Sequence, residues 1–449
     1  MTTQAAQVNQ WLQLAPEPPP LTNDKKWHVF LSYRSVNRNW VLHLYDALRA
    51  VGFQVFLDQL EIAAGDSLAR RLNSALEAST SGVIVASSSY EDSEWCKSEY
   101  DTMESLRKAH GFRFVVAKLD DAKLPPMAEK DLYVDFSSYP IGPQGGELLR
   151  LMFGLLGQAL PSAVLKLALA IDDQTKVALA QIAGAKVINN VESLVSRARE
   201  GGEVWQASPL LYCASAEALI ELGEEDRALE VLALSTQFKH AIRPTQLNAL
   251  AWARKAKKMQ AIADEREASE AERSAARASA DRWLGEAQQP LAELWALGHR
   301  DPETLGIYAR TWMDRHLLTG RRSYLEKSRD LYRQAFELND DNFYTGINAA
   351  AKSVFLGELE VAAALVGKVQ ALVGRSAIPG NYWKTATVAE ALLIQQKYQD
   401  SIRVYRSGTV DAPLAIASHA SARAQAELLL EHLGAAPEVR EQMANAFKV

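Results

Sequence analysis

The chain has 449 residues, of which 48% are hydrophobic, a net charge of −6, two cysteines and eight histidines. That length supports two or three domains with buried cores. No apolar run approaches the roughly 18 to 20 residues of a membrane helix, and the first 20 residues lack the basic-then-apolar order of a signal peptide, so a cytoplasmic protein without membrane contact is expected. Cys96 and Cys213 lie far apart, and the histidines, among them His28, His110, His299 and His419, are scattered. Neither a disulfide framework nor a metal site is expected, and the acidic balance argues against nucleic acid as a partner.

Residues 1–24 are polar and then proline-rich (Pro16, Pro18, Pro19, Pro20), a composition that predicts an extended, flexible leader. From Lys25 the text changes to short apolar runs separated by helical patterns, which predicts alternating strands and helices around a parallel sheet. Trp27 to Tyr33 reads as the first strand. Trp40, Leu44, Leu48 and Val51 have helical spacing that ends at Gly52, a common residue just past a helix. Phe53 to Asp58 gives a second strand, Gln59 to Asp66 a loop containing Gly65, and a helix runs to about Ser79. Gly82 to Ser87 is the third strand, and the next helix starts near Asp92 or Ser93 and runs through His110. Phe112 to Leu119 and Leu132 to Phe136 complete five strands in a flavodoxin-like α/β domain, placed at residues 25–158.

Beyond Gln158 the strand signals end, and alanine- and leucine-rich amphipathic helices fill residues 159–449. Leu222-Gly223-Glu224-Glu225 and Leu356-Gly357-Glu358-Leu359 share a glycine that ends one helix and lets the next fold back. Ser328, Tyr332 and Ala335, and again Ser401 and Tyr405, place a small residue and then an aromatic one turn later, as tetratricopeptide units do. The prediction is an all-α, helical-repeat solenoid. Its segment from Asp301 to Ala350 also resembles the TRAFs-binding helical domain of a family of stress-activated kinases. Ala253 to Arg282 interleaves acids and bases and reads as a solvated helix face.

In an open doubly wound sheet the ligand crevice lies beyond the carboxyl ends of the strands, where the strand order reverses. Here that point falls between the first and third strands, beside Ser32-Tyr33-Arg34 and Ser87-Ser88-Ser89, with Asp58 closing the second strand. Trp95 and Glu99, four residues apart, share a face near the start of the following helix. On spacing alone, an early-helix glutamate serves only the helix dipole. Packing explains Trp95 and Tyr33 as well as ligand contact does, and Ser32 and Asp58 also suit turn caps.

Phe30-Leu31-Ser32-Tyr33-Arg34, Phe56-Leu57-Asp58 with Gly65, and Ser93-Glu94-Trp95-Cys96-Lys97-Ser98-Glu99 together resemble the Toll/interleukin-1 receptor (TIR) domain. Enzymatic members of that family hydrolyse or cyclise NAD. The resemblance therefore implies a catalytic carboxylate at Glu99, nucleotide contacts at Ser32, Tyr33, Arg34, Asp58 and Trp95, NAD+ as substrate with no separate cofactor, and self-association through TIR domains. It further implies an effector whose helical domain takes an unidentified protein or ligand, an arrangement linked in the family to antiviral defence. Signalling members carry proline before the loop glycine where this chain has Ala63-Ala64-Gly65. A non-enzymatic TIR adaptor is the alternative. A phosphoacceptor receiver domain is disfavoured, because Ser32-Tyr33-Arg34 supplies no acid at the end of the first strand.

Overall fold

A computed structural model describes residues 14–22, 24–34, 37–57, 68–88, 94–123, 133–140, 142–202, 204–205, 209–235, 241–263, 269–297, 299, 301–338, 342–413 and 416–448. The N-terminal part contains β1 (Trp27–Ser32), α1 (Arg38–Ala50), β2 (Val55–Phe56), α2 (Leu68–Glu77), β3 (Ser79–Ala86), α3 (Glu94–His110), β4 (Arg113–Lys118), β5 (Val134–Asp135) and α4 (Gly145–Leu155). The strands pair in parallel in the order β2-β1-β3-β4-β5, with Ser32 opposite Ile84 at the carboxyl end.

The strands read as nearly continuous apolar runs because both sheet faces are covered. Val29, Leu31, Val83, Val85, Val115 and Ala117 point to one face, against α1 and α4. Phe30, Phe56, Ile84, Ala86 and Val116 alternate to the other, against α2 and α3. Gly82 is small for a reason: a Cβ there would stand 3.0 Å from Met103 Sδ, so the glycine lets α3 lie close on the sheet.

The leader is extended over its described part, as its prolines require, but it is not a free tether. Leu14 and Ala15 pack against the sheet core, Pro18 covers Gly52, and His28 Nε2 donates to the Pro19 carbonyl at 2.8 Å. The other ring nitrogen of His28 accepts from the Gln54 N–H. Proline rings carry apolar surface without a backbone donor, so they can cover the sheet domain without joining its ladder.

The helices that follow are α5 (Ser162–Val187), α6 (Val191–Glu200), α7 (Leu210–Glu221), α8 (Glu225–Ala233), α9 (Ile242–Ala263) and α10 (Glu270–Ala296). They continue with α11 (Pro302–Thr319), α12 (Arg322–Leu338), α13 (Phe343–Phe355), α14 (Leu359–Val373), α15 (Tyr382–Ile394), α16 (Tyr398–Asp411), α17 (Ile416–His432) and α18 (Pro437–Ala446). By compactness the chain divides into one unit of Met1–Lys258 with Gln289–Gly298 and a second of Met259–Gln288 with His299–Val449. The change of fold class near residue 158 is therefore not the edge of a compact unit. Ala168, Ile242 and Leu294 belong to the same buried core as the sheet.

Two carboxylates tie the sheet domain to the helices of its own unit, one in each direction. Asp172 of α5 is buried and accepts the Gly146 N–H at 2.7 Å, capping the start of α4. Asp46 of α1 accepts the Ile242 N–H at 3.0 Å, at the start of α9. Gly145 has φ +54°, and a Cβ there would stand 1.4 Å from Asp172 Oδ1, so only glycine fits under that cap. Burial raises Asp172 to about 6 and Asp46 to about 8. His43, also on α1, is held neutral by burial and by Arg243, its pKa pushed down to about 3.

In the second unit the repeat is regular. Asp301, Asn342 and Asn381 cap α11, α13 and α15 by accepting the N–H three residues on. Ser328 and Ser401 donate to the Ala309 and Ala389 carbonyls, each at 2.7 Å, where the second helix of a pair meets the first. Tyr332 and Tyr405, one turn later, are the largest fully buried side chains there. The expected helix-ending glycines are in place in both units, Gly223 of the first at φ +79° and Gly357 of the second at +80°. The same turn recurs at Gln396, φ +58°, where the Lys397 N–H bonds to the Leu392 carbonyl as the Glu358 N–H bonds to Ser353.

Candidate functional site

The reversal of strand order falls between β1 and β3, and the residues beyond their carboxyl ends define the crevice. Ser32 is buried as the last residue of β1, and Tyr33 and Arg34, partly buried, follow it. The Tyr33 hydroxyl accepts from Arg38 Nη1 at 2.9 Å. Asn37 Nδ2 donates to Ser87 Oγ at 2.6 Å, which ties the loop after β1 to the end of β3. Asp120, just past β4, accepts the Ser88 N–H at 2.8 Å and the Ser88 hydroxyl at 2.9 Å, extending the rim by one more strand.

Asn37, Arg38 and Asp120 were not visible as site residues in the sequence, since each is tied to the rim by a contact across loops. Arg38 is buried at the first position of α1, a helix whose first turn has no acid and whose N-cap Asn37 makes no side-chain bond to it. The start of α1 thus places Arg38 beside the loop after β1, where the Arg34 carbonyl accepts the Asn37 N–H.

Glu99 and Trp95 lie in the first turns of α3, the helix that leaves the end of β3. Tyr100 and Met103 anchor that helix on the sheet, and position 99 stands one turn closer to the crevice than Met103. The side chains of Trp95, Cys96 and Glu99, the whole of Asp58 and the Ala63-Ala64-Gly65 loop lie outside the described residues. Among the described residues, no group of His, Cys, Asp and Glu is arranged to hold a metal, and no helix is long and apolar enough to cross a membrane. Cys213 is a buried free thiol whose pKa is raised by burial, which makes it a small hydrophobe and not a nucleophile.

The second unit holds a separate polar cluster that runs from exposed Arg310 to buried Lys352. Arg310 Nε donates to Asp314 at 3.0 Å, and Lys352 Nζ donates to Asn348 Oδ1 at 3.0 Å while lying over the Tyr332 ring. Burial pushes the Lys352 ammonium down to about 8 and the Glu390 carboxyl up, and Glu390 accepts from Gln425 at 3.0 Å.

Residues 29–149 match the family model described as TIR domain, and residues 247–353 match the one described as Tetratricopeptide Repeats-Sensor. The chain carries a TIR domain followed by a tetratricopeptide-repeat sensor domain. Over 114 residues it is 34% identical to the probable 2' cyclic ADP-D-ribose synthase BdTIR of Brachypodium distachyon, covering 25% of this chain and 51% of that protein. It is 30% identical over 117 residues to the NAD(+) hydrolase PdTIR of Paracoccus denitrificans, covering 24% and 39%. The 2' cyclic ADP-D-ribose synthase BtTIR of Bacteroides thetaiotaomicron is 28% identical over 102 residues, covering 22% and 33%. The chain thus spans about half or less of the length of these curated relatives.

Proposed function

We propose that the TIR domain cleaves NAD+ at the nicotinamide–ribose bond, with Glu99 as the catalytic carboxylate. The position of residue 99 supports this reading: it lies in the first turns of α3, the helix that follows β3, whose carboxyl end stands at the reversal of strand order. The names of the relatives above, an NAD(+) hydrolase and 2' cyclic ADP-D-ribose synthases, support it.

The chemistry suits the residues. The departing pyridine takes the bonding electron pair and neutralises its own ring nitrogen, so no general acid is needed for the leaving group. Positive charge develops on the ribose, where one carboxylate stabilises it and accepts hydrogen bonds from ribose hydroxyls. Attack by water at the anomeric carbon gives ADP-ribose, and attack by a hydroxyl of the same nucleotide gives a cyclic isomer. Arg34 and Arg38 at the start of α1 bind the pyrophosphate, Ser32 and Tyr33 line the ribose side, and Trp95 and Asp58 complete the nucleotide contacts. NAD+ is the substrate, and no further cofactor takes part. The chain acts in the cytoplasm as an effector that self-associates through its TIR domains, and its helical repeats receive a protein or ligand signal, as in antiviral defence.

Incubation of the full chain with excess NAD+ should release free nicotinamide, and Glu99→Gln should lower the rate about 100-fold or more with an unchanged melting temperature. Equal release by Glu99→Gln removes the catalytic assignment. No release at any protein concentration, with capture of a second TIR protein that survives Glu99→Gln, establishes the adaptor reading instead.

A further inference from the structure

Helix α1 is buried even on the side that a helix flanking a parallel sheet ordinarily shows to water. Of its 13 residues, Asn39, Arg49 and Ala50 alone are exposed. One side packs on the sheet: Val41, Leu44 and Leu48 belong to its core, and Trp40 Nε1 donates to the Tyr139 carbonyl at 2.9 Å. The outer stripe carries Asn39, His43, Asp46 and Ala50. Its ends are open, and its middle meets the start of α9, where Asp46 accepts the Ile242 N–H at 3.0 Å and His43 faces Arg243.

The two ends of α1 therefore hold different parts of the molecule. At the first, Arg38 donates to the Tyr33 hydroxyl at 2.9 Å. Asn37 is a residue type that commonly caps a helix, yet its side chain makes no bond to α1 and reaches instead to Ser87 at the end of β3. Asp46 stands eight residues beyond Arg38, about 12 Å along the axis. A helix so closely packed moves as one piece, because side chains fixed in a dense core leave no room for one turn to slide past the next. A displacement at Asp46 therefore arrives at Asn37 and Arg38.

Helix α9 is itself firmly held. Arg243 Nε donates to Glu217 at 3.0 Å, and Arg254 donates to the Ile220 carbonyl at 2.9 Å, so its first turns move with α7 and not alone. The residues that match the repeat-sensor model begin inside α9, at position 247.

We infer that Asp46 is a positioning residue for the crevice: through α1 it sets Tyr33, Asn37 and Arg38 according to where the start of α9 stands. The sensor segment and the crevice are thereby joined along one helix, and the coupling is reciprocal. For its substrate the inference rests on the cleavage proposed above; for its coupling it rests on the hydrogen bonds alone.

Hydrogen exchange of the full chain without NAD+ is the first readout. Asp46→Ala should speed exchange of the Asn37 N–H, which bonds to the Arg34 carbonyl at 2.8 Å, about ten-fold. Asp46→Asn, which keeps the acceptor, should restore the natural rate. Asn190→Ala removes a local cap on α6 in the same unit and should leave Asn37 unchanged. The second readout is nicotinamide release, in which Asp46→Ala should raise KM for NAD+ about ten-fold with kcat within about two-fold, and Asp46→Asn should not. Exchange at Asn37 that ignores Asp46→Ala, or that follows Asn190→Ala equally, overturns the coupling. An unchanged KM in an active Asp46→Ala chain overturns the positioning role. No release by the natural chain overturns the cleavage, and the exchange result then decides the coupling by itself.

Discussion

Both units cap helices locally, as Asn190 does for α6 in the unit with the sheet, but that unit adds caps from a distance, and the addition explains what each can tolerate. In the repeats, Asp301, Asn342 and Asn381 accept from N–H groups three residues on, so each cap is complete within one turn. In the unit with the sheet, Asp172 reaches back to Gly146 and Asp46 reaches forward across 196 residues to Ile242. A local cap stabilises one helix; a remote one also holds two pieces of chain together. Damage should therefore stay within a helix pair in the repeats and spread through the core around the sheet.

The largest expected effect is at Gly145. Alanine there takes on a left-handed backbone and displaces the Asp172 cap, a loss of about 2 to 4 kcal/mol. Hydrogen exchange should show α4 and α5 opening together while α12 to α16 stay protected. Opening confined to α4 would end the idea that remote caps bind segments into one unit.

Asp46→Ala comes next, at about 1 to 2 kcal/mol, and carries a pH signature. A carboxyl whose pKa is raised by burial binds more protons folded than unfolded, so its stability contribution is complete below about 4 and declines as pH rises through about 8. Asp172 declines in the same direction up to about 6. Melting temperatures at pH 5, 6.5 and 8 should fall for the natural chain, and Asp46→Asn, which keeps an acceptor without the charge, should flatten the upper part of that fall. An identical pH profile in Asp46→Asn rules out Asp46 as its source.

Within the repeats, Asn381→Ala should cost about 1 kcal/mol and loosen only the start of α15 by exchange. The smallest effect has the opposite sign. Gln396 holds φ +58°, where glycine is unstrained, so Gln396→Gly should stabilise by about 1 kcal/mol in denaturant melts. A loss of stability would mean that the Gln396 side chain contributes more than its backbone costs.

The proposed site shows the same division. Ser32, Tyr33 and Arg34 could be located from the sequence because a parallel strand buried on both faces ends abruptly at its polar residues, and that end is where the crevice lies. Trp95 and Glu99 followed from helical spacing and from the likeness of their motif. Asn37, Arg38 and Asp120 gave no such signal, because each belongs to the rim only through a contact with another loop or with the first strand's end. The leader was legible as extended chain, but its packing on the sheet domain was not, since proline content sets backbone shape and says nothing about what the rings cover.

The sequence by itself determined the five parallel strands, the switch to helices near residue 158 and the recurrence of glycine turns and buried serines, because each rests on periodicity or on one residue's backbone preference. It did not mark the turn at Gln396, where packing overrides that preference. Only the tertiary structure decided that the sheet core extends into Ala168, Ile242 and Leu294, and that Asp46 and Asp172 serve helices far from them in the chain. A carboxylate has the same side chain wherever it is placed. Its role depends on which buried N–H lacks a partner beside it, and that is set only when distant segments meet.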